Sequence, residues 1–510
     1  MGDANQAGDV FLHMHAEITE SPSILTGPCV SRMRSKKHEL AKRRIGDNAM
    51  KTNWIRMMSR STSVACIAIL CVSWSVSQVY GEYGESQYEV SDGLVEGGSF
   101  MDLIEPLPAR GDFRSDVWGG DNVIPRDVEN GIEGAEYSYW GGNVIKDDDG
   151  KYHMFVCRWP ENSYKGEVKQ GHALWWSSVV VHAVSDNALG PFKVVREIGR
   201  GHNPEIYRRK DGSYVVGVMG DRAYTSPTLN GPWTEIKATF QWLDDSKPQN
   251  KNNRTYVVRE DGSVLMMSKN GVIFISEKGD EQFAQLTPGT VYHPVPGAKF
   301  EDPVIWKDEV QYHCIYNDWY GRTAFYIRSA DGIHWKFEPG LAYKPSRLMR
   351  YQDGRQEKWH KYERVKVQQD QYGRATHINW AVIDCVKQED LASDNHSSKN
   401  VVMPLTVPCR LQILNKDAIT PETREIRLRI ISEEGFNPHQ DIVVDSLRLG
   451  ADEAVNFGKG CKALRTEKSG KDLVVVFDGR GNGITERNFT AKLLGRNKKG
   501  ELLFGYAKLP

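Results

Sequence analysis

The chain of 510 residues lacks a surplus of either charge, since 66 basic and 67 acidic side chains give a formal net charge of −1. A nucleic-acid partner requires a basic face, so this balance argues against one. Cysteine is scarce, with eight residues in all, and no CxxC or histidine-rich spacing predicts a zinc site. Apolar residues make up 39% of the chain, which is enough for a core in each of two or three domains.

The chain also lacks an N-terminal apolar run long enough to span a membrane, which takes about 20 residues. The run Ser63–Val76 is shorter, follows three basic residues and precedes small residues at Val79–Gly81. This order predicts a cleaved signal peptide over residues 50–81, and hence a secreted or periplasmic protein without membrane contact after cleavage. Residues 1–49 are polar and patternless, which predicts a disordered leader or a start codon assigned too early.

Short apolar segments with a tight turn recur along the chain at a period of about fifty to sixty residues, and such a period is typical of repeat architectures. The turns fall at Asp149-Gly150, Asp211-Gly212, Asp261-Gly262, Asp308-Glu309 and Tyr372-Gly373. Asp-Gly between alternating strands predicts a hairpin whose two central residues both take positive φ.

A second motif closes most of these units: a strand ending in serine, a glycine turn and an aromatic residue. It occurs as Ser185 with Gly190-Pro191-Phe192, Ser226 with Gly231-Pro232-Trp233, Ser276 with Phe283, and Ser329 with Gly332 and Trp335. Five units of four strands predict a five-bladed β-propeller over residues 110–400. A large β-sandwich is the alternative, but sandwiches rarely repeat both motifs.

From about Val401 the strands alternate without this repeat, which predicts a β-sandwich over residues 401–510 that caps the propeller or binds carbohydrate. The predicted fold is therefore all-β, a five-bladed β-propeller followed by a C-terminal β-sandwich.

The first strand of each propeller blade lines the central channel, so the residues that begin these strands meet at one mouth. Each predicted first strand begins with polar residues. They are Asn143 in blade one, His202, Asn203 and Glu205 in blade two, Asn253 and Arg254 in blade three, Glu301 and Asp302 in blade four, and Glu363 and Arg364 in blade five.

A mouth of this kind suits hydrolysis of a glycosidic bond, which needs one carboxylic acid and one carboxylate. Crowded carboxyl groups raise the pKa of one member, while a neighbouring arginine keeps another ionised. The crowd consists of Glu205, Glu301, Asp302 and Glu363, with Arg364 as the opposing charge. Trp140, Trp159 and Trp319 are candidates for stacking on a sugar face.

The blade-start motif "EDPVIW", the Asp-Gly hairpins and the Ser-x-Gly-Pro-aromatic closures resemble the five-bladed propeller glycoside hydrolases of families 43 and 117. "WGGNVIKDDDGKYHMFVCRWP" and "GHNPEIY" lean toward family 117. The resemblance covers about residues 110–405. It implies exo-acting hydrolysis by inversion of a plant or algal oligosaccharide or polysaccharide. It also implies an Asp base, an acid, and a third acidic residue that tunes the pKa.

The chain departs from family 43 at two blade starts, where Asn143 and Asn253 replace the aspartates that the resemblance leads us to expect. An amide cannot act as a general base, so the predicted base is Asp121 or Glu205. The predicted acid or pKa-tuning residue is Glu301 or Asp302. The predicted substrate contacts are Trp140, Asn143, His202, Asn203, Glu363 and Arg364, with a structural hydrogen bond as the alternative role of His202.

Two other functions compete with hydrolysis. The missing aspartates suit an inactive, carbohydrate-binding propeller. A propeller polysaccharide lyase is the other, and it needs a cationic partner for a uronate carboxylate, for which Arg254 or Arg364 is available. No metal site and no required cofactor are predicted, although a calcium ion on the propeller axis is compatible with the fold.

Overall fold

The computed structural model describes residues 93–117, 123–161, 164–165, 168–169, 171–279, 282–391, 394–396 and 398–510. The expected leader, the expected signal peptide and the candidate base Asp121 lie outside the described residues. Within the described ranges, no helix has the length and apolar character that crossing a membrane requires.

Four-stranded antiparallel meanders form the first two blades. In blade I the strands β1 (Tyr137–Lys146) and β2 (Tyr152–Pro160) are followed by a short ribbon, β3 (Tyr164–Lys165) and β4 (Val168–Lys169), by the 3₁₀ helix Gly171–Ser177, and by β5 (Val179–Ser185) and β6 (Lys193–Arg200). Blade II consists of β7 (Glu205–Arg208), β8 (Tyr214–Gly217), β9 (Arg222–Ser226) and β10 (Thr234–Lys237).

Blades III and IV repeat the meander. Blade III consists of β11 (Thr239–Gln241), which pairs in parallel with the outermost strand, and of β12 (Thr255–Val258), β13 (Val264–Met267), β14 (Ile273–Ser276) and β15 (Gln282–Gln285). Blade IV consists of β16 (Phe300–Lys307), β17 (Tyr312–Asp318), β18 (Thr323–Ser329) and β19 (Trp335–Phe337).

Blade V is a three-stranded sheet of β20 (Lys361–Gln369), β21 (Ala375–Ile383) and β22 (Ser398–Pro404). The segment before β1 lies against the outer edge of β22, where the backbones of Ile132 and Asn400 exchange two hydrogen bonds of 3.1 Å. A chain segment from the start of the propeller thus pairs with its last sheet and helps to close the ring.

The first strands of the blades surround the axis: β1 contacts β7, β7 contacts β12, β12 contacts β16, β16 contacts β20, and β20 contacts β1. Because neighbouring sheets pack on both faces of a blade, its inner strands are largely buried, as are all seven residues of β17 and of β18, whereas the outermost strands β6 and β10 are largely exposed. The prediction of a five-bladed β-propeller is confirmed.

The hairpin turns differ from the prediction in one respect. Only the glycines take positive φ, at 87° for Gly150, 88° for Gly212, 95° for Gly262 and 78° for Gly373. The turn of blade I shows why, since Gly150 N donates to Asp147 O and Asp147 N to Lys151 O across a longer loop. The central residues of this turn therefore have negative φ, and only the glycine that follows them has positive φ. A two-residue hairpin would need positive φ at both central residues.

The C-terminal domain is one nearly closed antiparallel sheet of seven strands in the order β23-β24-β27-β26-β25-β28-β29. They are β23 (Leu411–Ile413), β24 (Glu425–Ile430), β25 (Arg448–Gly450), β26 (Cys461–Ser469), β27 (Asp472–Asp478), β28 (Thr490–Arg496) and β29 (Leu502–Lys508). Two short helices, α1 (Pro438–Asp441) and α2 (Asp452–Val455), interrupt it, and further 3₁₀ turns occur at Phe100–Leu103, Pro345–Arg347 and Val444–Ser446.

A buried ion-pair network joins this domain to blade IV. The guanidinium of Arg328, 1% exposed, lies 2.7 Å from Glu338 of the same blade and 3.1 Å from Asp452 at the start of α2. It also donates to the Thr490 hydroxyl at 2.9 Å. Asp452 also pairs with Lys336 of blade IV at 2.6 Å, so two cations hold this contact together.

We expect Arg328→Met to lower the free energy of unfolding by about 3–5 kcal/mol, because buried Glu338 loses its ion-pair partner and buried Asp452 keeps only Lys336. Urea titration followed by tryptophan fluorescence measures the change. The matched control is Arg465→Met, whose ion pair with Glu425 is exposed on β26, and which should leave stability nearly unchanged. Equal losses in the two variants would contradict a stabilising interface.

Candidate active site

Each inner strand is interrupted at its start by a residue in the left-handed region. These residues, one per blade, are Gly141 (φ 65°), Asn203 (52°), Asn253 (46°), Asp302 (51°) and Arg364 (53°). In blades I, IV and V the pairing with the second strand shifts register at this point, as it does at a β-bulge. A bulge redirects the side chains beside it, which explains why an acidic pair can stand at the start of a buried strand.

The residue types at these five positions suit the left-handed conformation, since glycine adopts it freely and Asn and Asp tolerate it. A Cβ at Gly141 would also lie 3.1 Å from the Asn203 side-chain oxygen. Arg364 is the exception, and two hydrogen bonds hold it: its backbone N–H and its guanidinium donate to the carboxylate of Asp302 at 3.1 and 2.9 Å.

Side chains at the same positions form a chain of hydrogen bonds around the axis. Asn203 Nδ2 donates to Asn253 Oδ1 at 2.9 Å, and Asn253 Nδ2 donates to Asp302 Oδ1 at 2.9 Å. Asp302 and Arg364 complete the chain and are each 1% exposed. The arrangement links blades II to V and gives Asp302 a structural role.

We expect Asp302→Asn to lower the free energy of unfolding by about 3–5 kcal/mol, because it leaves the buried guanidinium of Arg364 without a counter-charge. Chemical denaturation of the purified variant measures the loss. The same substitution at Asp353, which pairs with Arg355 near the surface, is the control and should leave stability nearly unchanged. A loss at position 302 no greater than that at 353 would contradict the structural role.

The next residues along the inner strands form a second, deeper tier. Glu205, 4% exposed, pairs with the ammonium of Lys366 and accepts a 2.6 Å hydrogen bond from Thr255. Asn143 accepts a hydrogen bond from the backbone of Ile206 at 2.8 Å. The carboxylate of Glu205 and the amide oxygen of Asn143 therefore already have partners inside the channel. Glu205 is thus unsuited to act as the base, and Asn143 is unsuited to touch substrate.

An axial calcium ion does not fit these residues. The inner strand of blade V brings both Arg364 and Lys366 to the axis, where they face Asp302 and Glu205. Burial lowers the pKa of Lys366 to about 8, against the opposing influence of Glu205. Two cationic side chains thus occupy the charge-balancing role that an axial cation would have.

Two glutamates stand one residue before the left-handed positions of blades IV and V. Carboxylate oxygens of Glu301, Asp302 and Glu363 all lie within 4.8 Å of one another. Lys269 lies 2.7 Å from Glu301, and Lys361 lies 2.8 Å from Glu363. The mouth therefore brings three of the four predicted carboxylates together and surrounds them with ammonium groups.

Lys387, from the loop after β21, adds a second ammonium group to Glu363. Because four cationic side chains then balance three carboxylates, the trio has no need of a metal ion.

The pKa values of Glu301 and Glu363 are shifted in opposite directions. Burial, followed by the charges of Asp302 and Glu363, raises the pKa of Glu301, and Lys269 only partly opposes this. Burial also acts to raise the pKa of Glu363, but Lys361 and Lys387 outweigh it and lower that pKa below its usual value. A carboxyl group with a raised pKa beside one with a lowered pKa is the pair needed for acid-base work on a glycosidic bond.

We expect Lys269→Met to raise the pKa of Glu301 further, because Lys269 stabilises the ionised form of that carboxyl group. A function that needs protonated Glu301 should then persist to higher pH in the variant than in the wild type. The alkaline limb of a pH–rate profile measures the shift. An unchanged limb, or one displaced to lower pH, would contradict the influence assigned to Lys269.

The tryptophan side chains near the mouth differ in how much of their surface is exposed. Trp140 is 2% exposed, lies under Lys387 at 4.7 Å and packs edge-on against His172. Trp159 is also fully buried, so neither ring can stack on a sugar. Trp319, covered by Lys361 at 4.0 Å, and Trp175 keep part of their surface exposed, so they are the rings available to a sugar.

His202 lies half-buried beside Trp175, with its Nδ1 2.9 Å from the Ser178 hydroxyl. Burial and then the charges of Arg364 and Lys387 hold its pKa well below the usual range. A neutral imidazole with this partner can donate or accept a hydrogen bond at the mouth but cannot serve as a cationic acid.

Sequence reasoning missed four residues of the mouth. They are Trp175, Lys269, Lys361 and Lys387. Lys361 stands two residues before Glu363 in β20, so the two-residue period of a strand places both on one face and could have identified it. The other three come from loops and a 3₁₀ helix between strands, for which no local sequence pattern gives the position.

The ring of five sheets and the three carboxylates at its mouth define the class as a five-bladed β-propeller with an acidic central site. No family model matches the chain. No curated protein matches it in sequence either.

Solved propeller hydrolases are similar in structure, as the sequence motifs predicted. One is a family 117 glycoside hydrolase of the marine bacterium Zobellia galactanivorans, 11% identical, with a TM-score of 0.37 over 57% of this chain and 89% of that one. A family 43 protein of Bacillus licheniformis is 9% identical, with a TM-score of 0.36 over 76% and 90%. A family 43 β-xylosidase/α-arabinofuranosidase from a compost metagenome, solved with xylotriose, is 11% identical, with a TM-score of 0.35 over 55% and 95%.

Proposed function

We propose that this chain is a glycoside hydrolase in which Glu301 is the general acid and Glu363 the ionised carboxylate. The observation that carries the proposal is the opposite direction of their pKa shifts in carboxyl groups whose oxygens lie within 4.8 Å. Glu301 protonates the leaving oxygen, and Glu363 acts at the anomeric carbon on the other side of the bond.

The spacing of the two groups bears on the stereochemistry. Inverting glycosidases hold their carboxyl groups about 6.5–9.5 Å apart to admit a water molecule, and retaining enzymes about 5–5.5 Å apart. One oxygen of Glu301 and one of Glu363 lie within 4.8 Å of each other, and from this close approach we propose retention in place of the inversion that the resemblance implies. In a retaining reaction Glu363 attacks the anomeric carbon, and Glu301 later activates the water that releases the sugar.

The competing functions fit the mouth less well. Binding a sugar without turnover does not require two neighbouring glutamates with opposite pKa shifts, so the site favours hydrolysis over an inactive, carbohydrate-binding propeller. A lyase would need Arg254 or Arg364 to meet a uronate, but both guanidinium groups already have partners within the protein. Arg254 is bonded to the backbone of Val218 and Gly220, while Arg364 is bonded to Asp302.

The substrate we propose is a plant or algal oligosaccharide, attacked from its end by a secreted enzyme. Exo-action rests on the resemblance to families 43 and 117, and secretion rests on the apolar segment Ser63–Val76. Incubation with arabinan, xylan, agar and carrageenan oligosaccharides, followed by product chromatography, tests the proposal. Release of single terminal units supports it. Unsaturated products that absorb ultraviolet light would establish a lyase, and binding without turnover an inactive propeller.

A further inference from the structure

An aspartate, a cysteine and a histidine meet at the connection between the last two strands of blade V. Asp384 and Cys385 directly follow β21, and His396 lies two residues before β22 begins. One ligand atom of each side chain lies within 4.8 Å of the corresponding atoms of the other two. A carboxylate oxygen, a thiol sulfur and an imidazole nitrogen are therefore close enough to share one ion after small side-chain movements.

The distance between the aspartate and the histidine matches the edge of a metal site. Nδ1 of His396 lies 3.4 Å from Oδ1 of Asp384, beyond the range of about 2.7–3.2 Å for an N–H···O hydrogen bond. The surface pair of Asp331 and His334 provides the contrast, since its oxygen and ring nitrogen are 2.7 Å apart. Tetrahedral zinc, with bonds of about 2.0–2.3 Å, holds neighbouring ligand atoms about 3.3–3.6 Å apart. The spacing of Asp384 and His396 therefore fits two ligands of one ion better than a direct hydrogen bond.

The burial of the three side chains suits a shielded ion with one open side. The side chain of Asp384 is 4% exposed. Cys385 is 6% exposed and belongs to the apolar cluster that contains Trp140 and Trp159, and such an apolar shell limits the access of water to a metal centre. The ring of His396 is 32% exposed, so an ion can enter beside it and water can supply the fourth ligand.

We propose that Asp384, Cys385 and His396 bind a divalent ion of the zinc class. Zinc takes sulfur, nitrogen and oxygen ligands together, whereas calcium and magnesium are bound through oxygen. The charges also balance, because one carboxylate and one thiolate neutralise the two positive charges of the ion and the imidazole remains neutral. As the zinc–sulfur bond forms, the thiol of Cys385 releases its proton to solvent.

An ion at this point would tie together the two ends of the connection formed by residues 384–397. The same connection carries Lys387, whose ammonium group pairs with Glu363 at the mouth. It also carries Asp390, whose backbone carbonyl accepts a 3.2 Å hydrogen bond from the backbone of His172. The ion would therefore help to hold Lys387 in place, but the metal site itself does not depend on the hydrolase proposal.

The test uses the full chain, treated with a chelator and then titrated with zinc chloride by calorimetry. We expect one high-affinity zinc site, much weaker binding of calcium chloride, and a melting temperature that rises with zinc concentration. Cobalt chloride in place of zinc should give an intense sulfur-to-metal charge-transfer band in the near ultraviolet, which requires a thiolate ligand. Cys385→Ala should abolish this band and weaken zinc binding at least about tenfold. The matched control, Cys409→Ala, removes a half-buried thiol outside the group and should change neither.

His396→Ala is a second variant that leaves the core intact, because the ring is partly exposed. Without zinc it should melt as the wild type does, and with zinc its affinity should be at least about tenfold weaker. His334→Ala, which removes the ring of an Asp–His pair at the surface, should bind zinc as the wild type does. Absence of zinc binding in the wild type would overturn the proposal. So would equal affinity for calcium, or a cobalt complex whose sulfur band is missing or persists in Cys385→Ala. These outcomes do not involve turnover, so they leave the hydrolase proposal to its own test.

Discussion

Glu301→Gln should lower kcat by about 10²–10⁴-fold, the range for loss of general acid–base assistance. Glutamine keeps the shape of the side chain but has no proton to give to the leaving oxygen. Urea unfolding of the variant separates chemistry from folding, because the amide also removes the ion pair with Lys269. Steady-state kinetics on the substrate identified by the oligosaccharide screen provides the measurement.

The control for this variant is Glu309→Gln in the same blade, whose carboxylate pairs with Arg410 at the surface. It should retain wild-type kcat. Activated substrates, whose leaving groups need no proton, should recover much of the rate lost at position 301. Equal kcat values for wild type and Glu301→Gln would remove Glu301 from the mechanism.

The pH dependence follows from the same assignment. Turnover requires Glu301 to be protonated and Glu363 to be ionised. Activity should therefore fall as pH rises through the raised pKa of Glu301, and fall as pH drops through the lowered pKa of Glu363. Glu301→Gln should abolish the alkaline limb and leave the acid limb in place.

Glu363→Gln should also lower kcat by at least about a hundredfold, because the amide cannot attack the anomeric carbon or activate water. Glu389→Gln, an exposed residue close by in the sequence, is the control and should be unaffected. Thermal unfolding of both variants separates chemistry from folding, since Glu363 also holds Lys361 and Lys387.

The covalent role of Glu363 has its own signature. In Glu301→Gln, an activated substrate should form a glycosyl-enzyme ester faster than water removes it, because the residue that activates the water is missing. Mass spectrometry of proteolytic peptides should then find the sugar on the peptide that contains Glu363. A product of inverted anomeric configuration, with no adduct, would restore the inverting mechanism and leave Glu363 as the base.

The repeat was sufficient to predict the ring of blades and the meeting of Glu301, Asp302 and Glu363 at one mouth. It could not separate the roles of Glu301 and Asp302, because the division depends on a single left-handed residue at each bulge. The residue at that position turns inward to Arg364, and the residue before it remains at the mouth. A strand pattern with a period of two carries no signal for such a reversal.

The lysines around Glu363 show a second limit of prediction from the sequence. The pKa of Glu363 is set by Lys361, which lies on the same strand, and by Lys387, which comes from a long loop. Hairpin and strand signals describe contacts within a blade, whereas the loop position depends on packing between blades V and I. For the same reason Glu205, a candidate base in the sequence, is found paired with Lys366 from across the channel.

The central claim is that Glu301 and Glu363, which lie close together at the mouth, have pKa values shifted in opposite directions. Carbon-13 NMR of protein labelled at the glutamate carboxyl carbon, titrated with pH and assigned with Glu301→Gln and Glu363→Gln, observes the two titrations directly. The predicted result is a Glu301 signal that titrates above the usual glutamate pKa of about 4.3 and a Glu363 signal that titrates below it. Two signals that titrate together near the usual value would contradict the account.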